Sequence, residues 1–187
     1  MVIIYSMNFM KWTLEDLKGK IRREAVGYIP QEPSDLLYGQ SVQGECQQAD
    51  KDNQRSSGST FALLQRIVPS INPQTHPRDL SEGQRLALAL AIVLSAQPKV
   101  LILDEPTRGI DVGAKGEIFD LLRERAEKGL AVLFVTSEIS EAMNWSDRIV
   151  VMSRGHIVGI YKPADVTREE IMSAAEATKE EGARVWI

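Results

Sequence analysis

Asp104 and Glu105 close the apolar run Lys99-Val100-Leu101-Ile102-Leu103, and Pro106 follows them. A carboxylate can hold a hard cation or accept a proton, so two of them side by side are candidates for hydrolytic chemistry. Upstream, Ser81-Glu82-Gly83-Gln84 opens a stretch rich in Leu and Ala. Ser81 is a strong helix cap, and the free N–H groups of a first helical turn attract anions. Downstream, Gly109-Ile110-Asp111 follows the Pro106-Thr107 turn. Gln31 lies 50 residues before Ser81, just past a short apolar segment, where its amide oxygen can face a metal or a water.

These residues need elements to place them. Val100–Leu103 reads as a strand buried on both faces, as in a parallel sheet, with its acidic end at the carboxyl edge where α/β sheets bind ligands. Ala25–Ile29 reads as another short strand, stopped by Pro30. Glu82–Ser95 is apolar at nearly every position, which predicts a helix buried on most sides. Gly113–Lys128 is an amphipathic helix closed by Gly129, and Leu130–Thr136 is a further buried strand. A short helix over Glu138–Asn144 precedes a hairpin of residues 147–152 and 156–161 across Ser153-Arg154-Gly155. The alternation of strand and helix predicts an α/β layer structure.

Other stretches predict less. Val2–Tyr5 reads as an edge strand and Thr13–Arg23 as a polar helix. Gln47–Ser59 reads as an exposed polar loop. Phe61, Leu63, Leu64, Ile67 and Val68 lie at helical spacing, and Pro69, Pro73 and Pro77 then forbid any long helix before Ser81. Asp165–Gly182 reads as a charged amphipathic tail helix.

Composition narrows the function. The 187 residues suit one compact domain, and a net charge of −4 gives no footing for nucleic-acid binding. No apolar run approaches the roughly 20 residues a membrane-spanning helix needs. The opening MVIIYSMNFMKW lacks the basic start and the cleavage site of a signal peptide. The single cysteine, Cys46, reads as a small packing residue. His76 and His156 read as surface or structural.

The order of the motifs resembles the second half of an ABC-type ATPase domain. Leu80-Ser81-Glu82-Gly83-Gln84 is similar to the family's signature motif, Val100–Glu105 to its Walker B strand with the catalytic Glu, Gly109-Ile110-Asp111 to its D-loop, and Gln31 to its Q-loop. Residues 25–107, with Pro33-Ser-Asp-Leu-Leu-Tyr-Gly, resemble the ATPases of energy-coupling-factor and cobalt-type importers. Residues 108–187, with TRGIDVGAKGEIFDLL and SDRIVVMSRGHIVG, resemble the second cassette of sugar-import ATPases. The resemblance implies a partial P-loop NTPase: an α/β fold with a parallel sheet core, a small helical subdomain at about 34–96 and a C-terminal β-hairpin. Residues 1–24 stand apart as a poorly defined segment, and 25–187 form a truncated ABC ATPase domain.

The resemblance also implies roles. Glu105 would be the catalytic base, and Asp104, with Gln31, would hold Mg²⁺. Ser81, Glu82, Gly83 and Gln84 would face the γ-phosphate of ATP bound by a second ATPase subunit in a head-to-tail dimer, with Asp111 crossing the same interface. Gly83 would let backbone approach that phosphate. A transmembrane permease subunit would complete the assembly, on the cytoplasmic face of the cell membrane.

Two departures matter. No G-x-x-x-x-G-K-[ST] loop occurs in the sequence, so the Walker A element is expected to be lost or to belong to another polypeptide. Ser137 stands where the family usually has a histidine, a replacement often seen in the sugar-import second cassettes. Two readings follow: an importer's ATP-hydrolysing subunit that is inactive as this chain alone, or a degenerate module that completes a composite ATP site on an intact partner.

Overall fold

A computed structural model describes residues 2–7, by their backbone, and residues 25–176. The helix expected at 13–23 and the tail beyond 176 lie outside the described residues. The strands are β1 (Val2–Met7), β2 (Val26–Ile29), β3 (Val100–Asp104), β4 (Ala131–Thr136), β5 (Arg148–Ser153) and β6 (His156–Tyr161). The helices are α1 (Val42–Asp52), α2 (Ser59–Ile67), α3 (Glu82–Ser95), α4 (Val112–Glu127), α5 (Ile139–Trp145) and α6 (Arg168–Glu176).

One six-stranded sheet has the order β2-β3-β4-β1-β5-β6. Strands β2, β3 and β4 are parallel and in register, pairing Ile29 with Leu103 and Leu103 with Phe134. This is the parallel core that alternating strands and helices predict. In β3, Leu101 and Leu103 are fully buried while Val100, Ile102 and Asp104 are half-buried, so one face is sealed and the other only partly covered. Strands β5 and β6 form the expected hairpin, with Arg154 (φ +49°) and Gly155 (φ +80°) as a two-residue turn of the hand that matches strand twist.

Strand β1 departs from the expected edge position. It lies inside the sheet, antiparallel to β4 on one side and to β5 on the other. Open ladders on β4 and β5 would leave two rows of unpaired backbone groups, and an extended segment between them satisfies both.

The segment expected as a loop at 47–59 is also partly helical. Helix α1 begins at Ser41, whose hydroxyl accepts from Gly44 N at 3.1 Å, and it runs through Asp52. Val42, Cys46 and Ala49 give it one buried stripe, which packs on α2 and α3. The stripe is thin and the remaining positions polar, which is why composition suggests a loop. The Cys46 thiol is fully buried; burial, reinforced by the carboxylates of Asp50 and Glu45, pushes it up to about 12, consistent with a packing role.

Asp50 ties this helical unit together. Its buried carboxylate accepts from Gly58 N (2.7 Å), Ser59 Oγ (2.8 Å), Thr60 N (3.0 Å) and Thr60 Oγ1 (2.6 Å), and so caps α2 from α1. Burial opposes its charge, but the hydroxyls of Thr60 and Ser59 and the amides of Thr60 and Gly58 outweigh that and hold its pKa below the usual carboxylate value. A lowered folded-state pKa contributes stability that is present above the unfolded value of about 3.9 and is lost as pH falls through the folded value. Asp50→Asn should therefore cost about 2 kcal/mol at neutral pH. In urea unfolding the gap from wild type should narrow below about pH 4; an equal gap at both pH values contradicts the assignment.

Helix α3 matches its expected bounds. Leu86 to Ala91 are all buried, and it packs on α1, α2, β2 and the start of α4.

Candidate functional site

The carboxyl edge of the parallel strands gathers one group of the expected residues. Asp104 is the last residue of β3 and pairs with Val135. Glu105 leaves the strand at φ +44°, a left-handed backbone that only a turn or a functional constraint normally imposes on a non-glycine residue. Its amide donates to Val135 O at 2.8 Å, and its Oε2 accepts from Ser137 Oγ at 3.2 Å. Ser137 therefore reaches this carboxylate with one uncharged donor. Gln31 is exposed two residues beyond Ile29, at the same edge of the sheet.

A second group forms at the start of α3. Ser81 is exposed and makes a full capping box: its Oγ accepts from Gln84 N at 3.3 Å, and Gln84 Oε1 accepts from Ser81 N at 3.1 Å. With the Ser81 oxygen accepting inward, its O–H proton can be donated outward. The Glu82 carboxylate, in the same turn, is paired with Arg85, which offsets its repulsion of an incoming anion. Gly83 is buried. A Cβ there would lie 3.2 Å from Ala114 Cβ and 3.3 Å from Ile110 Cγ2. Its bare backbone lets the signature-like turn pack against the segment holding Asp111. Asp111 caps α4, its Oδ1 accepting from Ala114 N at 3.0 Å. The turn Pro106–Ile110 runs between the two groups and closes on itself through Arg108 N to Glu105 O and Ile110 N to Thr107 O, both 3.2 Å.

Sequence reasoning missed a buried polar network behind this edge. Glu141, at the start of α5, accepts from Thr107 Oγ1, from Thr136 Oγ1 at 2.8 Å and from Lys115 Nζ at 2.8 Å. Lys115 also donates to both carboxylate oxygens of Glu138 at 3.2 Å. Burial works against the Lys115 charge, yet the two glutamates outweigh it and its pKa is raised. Only the three-residue spacing of Glu138 and Glu141 on a short helix hints at this in the sequence.

Among the described residues, no group of three or more His, Cys, Asp and Glu side chains is arranged to hold a metal. His76 Nδ1 accepts from Arg78 N at 3.1 Å and caps the turn before Ser81, while His156 is exposed at the start of β6. No described helix is long and apolar enough to cross a membrane.

Known proteins resemble this chain in sequence and in fold. The family described as ABC transporter matches residues 6–108. The chain is 44% identical over 162 residues to a putative ABC transporter ATP-binding protein of Streptomyces avermitilis, covering 87% of this chain and 29% of that protein. It is 42% identical over 125 residues to the ribose import ATP-binding protein RbsA of Bacillus subtilis, covering 66% of this chain and 25% of that one. The fold is similar to cbiO1 of Clostridium perfringens, part of an ABC transporter complex, with a TM-score of 0.63, 28% identity, and coverage of 82% of this chain and 62% of that chain. This chain thus spans less than a third of the length of these two sequence relatives. With the family match extending over more than half of its residues, the chain belongs to the ABC transporter ATP-binding family.

Proposed function

We propose that this chain is the signature-bearing part of an ATP-binding subunit of an ABC-type importer, and that it completes an ATP site whose phosphate cradle is supplied by a second subunit. The observation that supports this most is the arrangement of the carboxyl edge. The Asp104–Glu105 pair, with Ser137 on Glu105, stands across one short turn from a capped helix whose Ser81 is exposed.

The residues present fit one side of a magnesium–nucleotide site. Asp104 is half-buried at a strand end and suits a hydrated Mg²⁺, which keeps much of its water and takes one or two carboxylates. Ser81 has a proton to donate toward a phosphate oxygen. The lysine and glycine-rich loop that would hold a triphosphate in cis are not in this sequence. When bound, Mg²⁺ would offset phosphate charge. With Oε2 held by Ser137, Glu105 Oε1 is the oxygen that would take a proton from an attacking water. Glu82, Gly83 and Gln84 shape the turn that presents Ser81, and Asp111 sits beside it at the same proposed interface.

Importer function is supported by the ribose import relative. A permease partner would meet the region after Gln31, where Tyr38 is 82% exposed and lines a cleft with Asp35 and Arg78. Such a partner would hold the chain at the inner face of the membrane. The helical unit at about 34–96 would be the docking subdomain.

Equilibrium titration with labelled Mg·ATP tests the reading. Binding is expected only when an intact homologous ATPase subunit is added; no enhancement by this chain over that subunit alone would sink it.

A further inference from the structure

We propose that Glu141 is a positioning residue: its buried carboxylate locks the turn carrying Glu105 to the strand end carrying Ser137, and so sets the hydrogen bond between them. The inference rests on the role proposed above for Glu105.

Glu141 is 5% exposed, and it holds Thr107, Lys115 and Thr136, which belong to three different elements. Thr107, two residues after Glu105, donates to Oε1, and so does Lys115 from the first turns of α4. Thr136, the residue before Ser137, donates to Oε2 and also accepts from Glu138 N at 3.0 Å. Thr107 and Thr136 are each 1% exposed, so bulk water does not reach them. One side chain therefore fixes the turn after β3, the end of β4 and the start of α4 relative to α5.

A buried ion pair is weak evidence for stability, because well-packed apolar residues of similar volume often do as well. Its value here is directional. The two oxygens of one carboxylate define where Thr107 and Thr136 stand, and Glu105 and Ser137 are covalently tied to those threonines. Lys115 neutralises the buried charge that makes this possible. Through Thr107 and Thr136, which Glu141 holds, it acts on Glu105 and Ser137.

Amide hydrogen exchange on the full chain, without nucleotide, tests this. The Glu105 amide is held by Val135 O, so it reports the seating of that turn. Glu141→Gln and Thr107→Val should each speed exchange at Glu105 by about tenfold, with Leu101 and Leu103 changing less than about twofold. Thr107→Ser, which keeps the hydroxyl, should restore the slow rate. Unchanged Glu105 exchange in the two disruptive variants would overturn the proposal. So would a uniform rise across β3, or failure of Thr107→Ser to restore protection. Because no nucleotide is present, a failed ATP titration leaves this result standing, and unchanged exchange leaves the titration standing.

Discussion

Ser81→Arg should remove about 100-fold or more of the ATP turnover that this chain supports in a mixed assembly with an intact homologous subunit. The wild-type hydroxyl is small, exposed and already locked by Gln84, so it can meet a phosphate oxygen without reorganising. Arginine cannot take over the inward acceptor role and loses the helix cap, which alone is worth about 1 kcal/mol. Its bulk would also occupy the space in front of the first turn, and Gly83, packed against Ile110 and Ala114, leaves that turn no room to retreat. Phosphate-release assays on matched mixtures measure the effect. Turnover within twofold of wild type would show that Ser81 does not face the nucleotide.

Phe134→Ala should destabilise the fold by about 3–5 kcal/mol, a large part of the roughly 5–15 kcal/mol available to a domain. Phe134 is fully buried in β4 opposite Leu103, and its ring lies 5.2 Å from that of Phe119 at a 51° tilt. Phe119 in turn stacks on Trp145 at 4.9 Å, and the Arg123 guanidinium covers that indole at 5.0 Å. Truncation opens a cavity between the sheet and α4 that these rings cannot fill without leaving their stacked geometry. The damage should reach the candidate site, because the neighbouring Val135 carbonyl holds the Glu105 amide. Urea unfolding followed by tryptophan fluorescence gives the value; a loss below about 1 kcal/mol would mean that Phe134 is not part of a tightly packed core.

Much of this was legible because it is local. Helix α3 is announced by Ser81 at its cap and by an apolar run that ends at Ser95, and the structure keeps those bounds. The β5–β6 hairpin follows from Arg154-Gly155 between two apolar runs. The carboxyl-edge position of Asp104 and Glu105 follows from where the apolar run stops. What could not be read depends on contacts across the chain. The sequence Val2–Met7 looks like any short strand, and only the open ladders of β4 and β5 decide that it lies between them. Helix α1 hides behind its polar residues because one narrow stripe and the capped start of α2 at Gly58–Thr60 hold it in place. The packing of Gly83 against Ile110 and Ala114 is equally invisible in the sequence. Glu141 gathers Thr107, Lys115 and Thr136, separated from it by 34, 26 and 5 positions, and no local periodicity encodes that meeting.

The most direct test of the central claim is the affinity of this chain for labelled Mg·ATP, first alone and then with an intact homologous ATPase subunit. The account predicts no saturable micromolar binding to the chain alone and tighter nucleotide retention when both are present than by the intact subunit by itself. Micromolar binding by the isolated chain would contradict it, because the phosphates would then be held by residues that this arrangement does not assign.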